Sequence, residues 1–115
     1  MTATTVLEPD IVVFSDRSKT DEYGGIAPPL FVIEIMTPLT AVKDMREKRA
    51  AYERAGVPEY WVIDPFYKHV HVFTMNEYGR YGAQTIFIDG EEAPVGVLPG
   101  LVIDLTRVFK NPFQR

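Results

Sequence analysis

A single acidic residue, Glu34, inside a run of apolar residues is the feature that most constrains this chain. The run is "LFVIEIM", residues 30–36, and it is rich in the β-branched and aromatic types that favour strands. A continuous apolar run of this length is typical of a strand that is covered on both faces. A carboxylate in such a strand loses its water, which costs free energy unless a cation or hydrogen-bond donors replace it. The sequence therefore predicts a partner for Glu34 in a neighbouring element.

Length and composition predict one globular domain over residues 1–115. The chain is 46% hydrophobic and 24% charged, and no apolar run approaches the ~20 residues of a membrane span. The segment "MTATTVLEPD" lacks the features of a secretory signal, and the absence of cysteine excludes disulfides and thiolate metal sites. We therefore expect a cytoplasmic protein without membrane contact. The net charge of −4 argues against bulk electrostatic binding of nucleic acid, although residues 42–56 carry a basic excess that fits either a phosphate-facing or a solvated helix face.

Strand and helix patterns alternate along the chain. A helix is predicted over residues 41–55, between Thr40 as its N-cap and Gly56 as its C-terminal stop. A strand, this helix and a second strand over residues 30–64 predict a parallel pair joined by a right-handed crossover. The fold class is therefore α/β, with a mixed sheet of about four to six strands and one main crossover helix. The predicted strands cover residues 10–14, 30–36, 59–64, 69–75 and 82–88, a loop covers 15–29, and the tail 97–109 predicts a short strand and a helical turn.

The predicted helix carries a lysine on its core-facing stripe. This stripe contains Met45, Lys48 and Tyr52, which recur at the spacing of an amphipathic helix. Because the helix crosses back over the sheet, Lys48 can lie near Glu34. Asp44 precedes Lys48 by four residues, as Lys48 precedes Tyr52, so their side chains can touch. The alternative interpretation is a purely structural ion pair, or a lysine that extends to water from the edge of an apolar face.

Asp10 adds a second carboxylate at the start of the first predicted strand. Two carboxylates and a lysine, without histidine or cysteine, suit Mg²⁺ or Mn²⁺ rather than zinc. A metal in such a site stabilises charge on a phosphoryl oxygen and lowers the pKa of a bound water. A lysine beside it can orient that water or oppose the developing negative charge. Asp10, Glu34 and Lys48 together therefore indicate phosphoryl chemistry.

The motifs of the chain resemble those of a known family. "PDIVVF", "PPLFVIEIMTPLTAVKDMREKRAAYERAGVPEYWVIDP" and "LPGLVIDL" are similar to the Uma-two-type family of putative restriction endonucleases, in the PD-(D/E)XK nuclease superfamily. The resemblance spans about residues 8–109. Its composite core is E-x-x-[ST]-P, then D-x-x-x-K-x-x-x-Y and G-V-x-E-Y-W. The matching residues are Glu34, Thr37, Pro38, Asp44, Lys48, Tyr52, Gly56, Val57, Glu59, Tyr60 and Trp61.

The resemblance implies a metal-dependent phosphodiesterase with a restriction-endonuclease-like core. Asp10 matches the aspartate of the PD motif, and Glu34 matches the second metal-ligating acid. Much of the superfamily has its lysine two residues after that acid, where this chain has Met36; the family instead uses a helix lysine, which is Lys48 here.

The expected site follows from these matches. Asp10 and Glu34 hold Mg²⁺ or Mn²⁺, the carbonyl of Ile35 is an extra ligand, and Lys48 positions the attacking water. The surrounding residues are Thr37, Asp44 and Tyr52, the last two holding Lys48.

The resemblance also predicts an N-terminally truncated member of the family. Family members usually carry a helix and at least one strand before the PD motif, whereas nine residues precede Asp10. The strand 10–14 would then be an open edge, which a second copy or a partner chain can cover. The leading functional prediction is a Mg²⁺-dependent endonuclease that hydrolyses DNA phosphodiester bonds. The alternatives are a non-catalytic module that acts through dimerisation or a partner protein, and a phosphodiesterase for RNA or a nucleotide.

Two other candidate sites have simpler explanations. His69 and His71 share one strand face at the spacing of a metal pair, but without a third ligand we expect the polar outer face of an edge hairpin. Trp61 could stack on a base, yet strand alternation places it with Ile63 on one face of the sheet. We therefore expect Trp61 in the core.

Overall fold

The structure is a computed structural model and describes residues 9–14, 28–40 and 42–110, which form two sheets and two helices. The longest element is a helix of 14 residues that connects two strands of the larger sheet. The elements in chain order are β1 Ile11–Val13, β2 Phe31–Ile35, α1 Val42–Ala55, β3 Glu59–Asp64, β4 His69–Thr74, β5 Thr85–Ile88, β6 Glu92–Pro94, β7 Val102–Asp104 and α2 Leu105–Val108. No helix among these residues is long and apolar enough to cross a bilayer.

The larger sheet has the order β1-β2-β3-β4-β5 among the described strands. Only β2 and β3 are parallel, and α1 connects them, as the crossover prediction requires. The other three pairs are antiparallel. The prediction of a mixed α/β sheet with one main helix is therefore confirmed. The register places Val62 of β3 opposite Glu34 of β2 and His71 of β4.

Strand alternation gives the sheet two buried faces. On one face Val32, Tyr60 and Phe73 pack against Tyr52 of α1. On the other face Phe31 and Trp61, with other sheet residues, pack against residues of β6, β7 and α2. Covering both faces removes a central strand from water, and this explains why β2 and β3 are almost continuously apolar. Trp61 is in the core, as predicted, with its ring centroid 5.1 Å from that of Phe31.

The helix α1 ends at Ala55, directly before Gly56, as predicted. Gly56 has a φ of 82°, a left-handed conformation that glycine adopts without the steric penalty of a Cβ. The N–H of Val57 then donates to the carbonyl of Tyr52 at 3.1 Å, which closes the last turn. At the other end, Thr40 uses its side-chain oxygen to accept the N–H of Thr37 at 3.1 Å. This bond stabilises the turn between β2 and α1.

Three details differ from the sequence prediction. The strands are shorter: the first covers Ile11–Val13 rather than residues 10–14, and β5 begins at Thr85 rather than at residue 82. β6 was missed because its three residues, which include a proline, become a strand only by pairing with β7. β4 is not the edge of the sheet, since β5 pairs with it along His69–Val72. Residues 15–27 of the predicted loop lie outside the described residues.

Candidate active site

Glu34 is buried on the face of the sheet that α1 covers. It is the fourth of the five residues of β2 and is 3% exposed. Its neighbour Ile35, whose side chain points to the opposite face, is 42% exposed. Glu34 therefore lies where the sheet changes from fully covered to open, at the carboxyl end of the parallel strands.

Two side chains of α1 satisfy the Glu34 carboxylate. The ammonium Nζ of Lys48 donates to Oε1 at 3.3 Å, and the hydroxyl of Tyr52 donates to Oε2 at 2.6 Å. Hydrogen bonds to an ionised acceptor are shorter and stronger than neutral ones, and the Tyr52 contact has the length of such a bond. Lys48 and Tyr52 are four residues apart, so they reach the same carboxylate from successive turns. The structure thus brings together the buried glutamate and the inward-facing lysine.

The two donors have different access to water. The Lys48 side chain is 35% exposed, whereas Tyr52 is buried at 3%. Burial raises the pKa of Tyr52 well above its ordinary value, and the hydrogen bond to Glu34 raises it further. Tyr52 is therefore a neutral, fixed donor at physiological pH. Lys48 keeps one side toward solvent.

Asp10 lies at the same edge of the sheet. β1 is antiparallel to β2 with Ile11 opposite Ile33, so the residue before Ile11 comes beside the carboxyl end of β2. Asp10 Oδ2 accepts the backbone N–H of Ile35 at 2.7 Å, and its side chain is exposed. The residue next to Glu34 in sequence therefore holds the Asp10 carboxylate by its main chain.

Two of the residues expected around the site do not contact it. Asp44 is exposed in the first turn of α1 and forms no hydrogen bond or ion pair with Lys48 within the described ranges. Tyr52 contacts Glu34 rather than Lys48. Thr37 lies in the turn after β2, where its hydroxyl is 3.1 Å from that of Thr40. The helical spacing therefore places Lys48 and Tyr52 on one side of α1, where both contact Glu34 rather than each other, whereas Asp44 is exposed to solvent.

The donors at this edge fit a hard divalent cation. Asp10 and Glu34 offer carboxylate oxygens, and each oxygen retains a lone pair after accepting one hydrogen bond. Mg²⁺ commonly uses one or two carboxylates and keeps several waters. Among the described residues no cluster of three or more acidic, histidine or cysteine side chains has metal-site geometry. The donor set is therefore a sparse one, of the kind that Mg²⁺ and Mn²⁺ use.

The two histidines form a polar chain on the sheet. His69 Nδ1 lies 3.3 Å from His71 Nε2, and His71 Nδ1 lies 3.0 Å from Oε1 of Gln84. The rings also contact each other edge to face, with centroids 5.4 Å apart. No third metal-ligating side chain joins them in the described part of the chain. Each ring is half-buried, and His71 faces the same side of the sheet as Glu34.

Glu59 is a second buried carboxylate, which the sequence indicates only as a member of the motif G-V-x-E-Y-W. It is 0% exposed and begins β3. Its Oε2 accepts the indole N–H of Trp61 at 2.7 Å and the N–H of Gly96 at 3.3 Å, and its Oε1 accepts the N–H of Val97 at 3.1 Å. Glu59 therefore attaches the segment after β6 to the sheet. An acidic residue at the start of an apolar strand is the only sequence signal for it.

The comparisons with known proteins decide the family. The Uma2 family model, described as "Putative restriction endonuclease", matches residues 2–106. The chain belongs to this family. The Uma2 assignment agrees with the resemblance that the motifs carry. No curated protein gives a significant match.

A solved structure supports the Uma2 fold. It is the crystal structure of a putative nuclease belonging to DUF820 from Anabaena variabilis ATCC 29413, 25% identical, with a TM-score of 0.68. The match covers 88% of this chain and 58% of that chain, so the chain spans less than two thirds of the solved protein. The nuclease fold is therefore common to both.

Proposed function

We propose that this chain is a Mg²⁺-dependent endonuclease that hydrolyses phosphodiester bonds of DNA. The observation that carries the proposal is the buried carboxylate of Glu34, held by Lys48 and Tyr52 at the sheet edge where Asp10 is exposed. Membership of a family described as restriction endonucleases supports DNA as the substrate. Mn²⁺ is the alternative metal for the same oxygen donors.

A purely structural ion pair explains the geometry less well. Burying two charges is costly, and replacing such a pair by apolar residues is often neutral or stabilising. Stability alone therefore gives little reason for a charged pair at this position. Lys48 retains a third of its side-chain exposure, and the pair lies next to the exposed carboxylate of Asp10. These features favour a site that a phosphate can reach.

Asp10, Glu34 and the carbonyl of Ile35 are the residues that would hold the metal. When bound, Mg²⁺ neutralises charge on the phosphoryl group and lowers the pKa of a coordinated water. The chain itself supplies the positioning. Tyr52 holds the Glu34 carboxylate in one orientation, and the N–H of Ile35 does the same for Asp10.

Lys48 is the residue proposed to act on the attacking water. An ammonium has three N–H donors, and Glu34 accepts one of them. The remaining donors can orient a water or stabilise a phosphate oxygen on the solvent side. This role explains why a lysine, rather than an apolar residue, occupies the core-facing stripe of α1.

We place the protein in the cytoplasm, since it has no cysteine and its proposed substrate is DNA.

A second candidate function is a non-catalytic module that acts through a second copy or a partner chain. The observation that favours it is β1, which is only three residues long and is the outermost strand of the described sheet. No described strand pairs with its outer side, and such a side can accept another strand. The mass in solution at several concentrations tests this candidate separately from metal binding.

The first experiment measures Mg²⁺ and Mn²⁺ binding by calorimetry and thermal unfolding. A metal that binds only the folded protein stabilises it by about 2.7 kcal/mol at a hundredfold excess over Kd. We expect this stabilisation in the wild type and its loss in Glu34→Ala. Glu47→Ala is the matched control, because it removes a carboxylate that lies exposed on α1, against Lys43.

The outcomes separate catalysis from structure. Lys48→Gln is expected to keep metal binding but lose cleavage of DNA. If neither metal binds the wild type, while Glu34→Ala only lowers stability, Glu34 and Lys48 form a structural pair and the proposal fails.

A further inference from the structure

A cavity of about 290 Å³ lies beside the Glu34 site, between α1 and the strands β3 and β4. Val62, which the register places opposite Glu34, forms part of its wall, and so does Met36, two residues after Glu34. Phe73 of β4 and Tyr60 of β3 line it as well, although both side chains are buried. The cavity is therefore a largely apolar pocket that adjoins the proposed catalytic carboxylate.

Positive charge borders this cavity. Arg46 and Arg49 line it from α1, both are exposed, and neither pairs with an acid among the described residues. The guanidinium carbon of Arg49 lies 5.4 Å from the centre of the Phe73 ring. Asp64 is the one acidic residue in the wall, and its Oδ1 already accepts the N–H of Phe66 at 2.9 Å. The charges at the cavity thus favour an anion.

A buried hydroxyl gives an independent indication of a ligand. Tyr60 is 0% exposed and contributes to the cavity wall, yet its hydroxyl has no hydrogen-bond partner in the part of the chain that the structure describes. A buried polar group without a partner costs free energy, and a ligand acceptor that reached this hydroxyl through a small side-chain shift would remove that cost. Burial raises the pKa of Tyr60, and nearby Glu34 raises it further, so the hydroxyl stays a donor.

We propose that this cavity holds the base of one unpaired nucleotide of the DNA strand that is cleaved at Glu34. This inference rests on the proposed function and names its substrate as single-stranded or locally unpaired DNA. Aromatic and apolar walls suit the base, and Arg46 and Arg49 suit an adjoining phosphate. The cavity is at the small end of the range for ligand pockets, which limits it to about one nucleotide. A base that is stacked and paired in a duplex cannot enter it.

Binding without divalent metal tests the cavity independently of cleavage. The probes are a labelled oligothymidylate, a duplex of the same length, and an oligothymidylate in which abasic sites replace the nucleotides one at a time. We expect the single strand to bind more tightly than the duplex. At one position, loss of the base is expected to weaken binding about tenfold, as for bases that stack on aromatic side chains.

Two substitutions probe the cavity, each with a matched control. Val42→Trp places a large ring at the cavity from an exposed position and is expected to weaken oligothymidylate binding about tenfold. Leu39→Trp adds the same ring at an exposed site that does not line the cavity and should bind as the wild type. Arg49→Gln is expected to reduce the salt dependence by about one phosphate contact, whereas Arg54→Gln, on the same helix, should not.

The results distinguish this inference from the proposed function. Equal affinity for intact and abasic strands, or wild-type binding by Val42→Trp, overturns the inference. If metal still binds at Glu34 in that case, the proposed function stands without it. If binding depends on the base and on Val42, the cavity is a nucleotide site. If the metal then does not bind, the endonuclease proposal is overturned and the nucleotide site stands.

Discussion

Two buried glutamates on adjacent strands, Glu34 and Glu59, are held in opposite ways. Glu34 lies at the carboxyl end of β2 and faces α1, and its donors are an ammonium and a phenol. Glu59 lies at the start of β3 and faces the other layer, and its donors are two backbone N–H groups and an indole. The two glutamates are thus buried in different environments within one sheet.

The donors explain what each carboxylate can do. Backbone N–H groups are fixed by the fold, so Glu59 is a structural connection between β3 and the segment after β6. The donors of Glu34 belong to side chains, and one of them, Lys48, reaches solvent. Lys48 can replace its contact with Glu34 by one with solvent or substrate, and the Glu34 carboxylate can then bind another group. Burial alone therefore does not distinguish the two carboxylates; the type of donor and its exposure do.

The largest expected effect is the loss of stability in Glu59→Ala. The buried indole of Trp61 and the part-buried N–H groups of Gly96 and Val97 lose their acceptor, and an unpaired buried donor costs about 1–3 kcal/mol. We expect the free energy of unfolding in urea to fall by about 3–5 kcal/mol. Glu34→Ala should cost only about 1–2 kcal/mol, because Lys48 can turn to water and Tyr52 alone loses its acceptor.

Glu59→Gln is the control for this comparison. It keeps a carbonyl acceptor but introduces an amide donor, so its cost should fall between those of the wild type and Glu59→Ala. Equal losses in Glu59→Ala and Glu34→Ala would show that the two carboxylates are equivalent for folding. The contrast between a structural and a functional glutamate would then be wrong.

The sequence predicts one of these two glutamates far better than the other. Glu34 interrupts an apolar strand, and the helical repeat places Lys48 and Tyr52 on the inner stripe, so local periodicity suffices. The partners of Glu59 include Gly96 and Val97, which lie 37 and 38 residues away in a segment without a regular pattern. No periodicity connects residues across such a distance.

The same physical limit applies to the fold and to the cavity. The parallel pair and its crossover helix follow from the pattern of apolar residues, whereas β6 exists only through its pairing with β7. Arg46 and Arg49 appear in the sequence as part of a basic helix segment. That they border a cavity depends on how α1 packs on β3 and β4. For Asp44 the sequence predicts too much. Its spacing suits a contact with Lys48, but in the structure its side chain is exposed and does not make that contact.

Alkaline pH should change stability through the surroundings of Glu34, which include Tyr52, but not through those of Glu59. The expected effect is smaller than that of Glu59→Ala. Burial raises the pKa of Tyr52, Tyr60 and Tyr81. Above pH ~10 the unfolded chain loses these protons while the folded protein retains them, so stability is complete below this pH and falls as pH rises. Each tyrosine contributes about 1.4 kcal/mol per pH unit to this decrease.

Tyr52→Phe should therefore reduce the slope of unfolding free energy against pH by about 1.4 kcal/mol per unit above pH ~10. Urea unfolding at several alkaline pH values measures it. Burial and the nearby Glu53 raise the pKa of Tyr81 in the same way. Tyr81→Phe should therefore reduce the slope equally and serves as the comparison. An unchanged slope in Tyr52→Phe would contradict a buried phenol against Glu34. Trp61, the side-chain donor to Glu59, does not ionise, so no such effect is expected there.

The smallest predicted effect tests how closely the chain packs on Glu59. A Cβ at Gly96 would lie 2.9 Å from Oε1 of Glu59, and this carboxylate is fully buried, so it has no free space to move into. Gly96→Ala should therefore lower the free energy of unfolding by about 1 kcal/mol, the lower end for overpacking. Gly82→Ala meets nothing within 4 Å and should change stability little.

The cost of Gly96→Ala should also depend on the carboxylate itself. In a Glu59→Ala background the methyl group has room, and the donors have already lost their acceptor. The two substitutions are therefore expected to be less costly together than the sum of their separate effects, by about 1 kcal/mol in a double-mutant cycle. Additive costs would mean that the methyl group clashes with something other than Glu59. The Glu59 carboxylate would then be less rigidly held than the comparison with Glu34 requires.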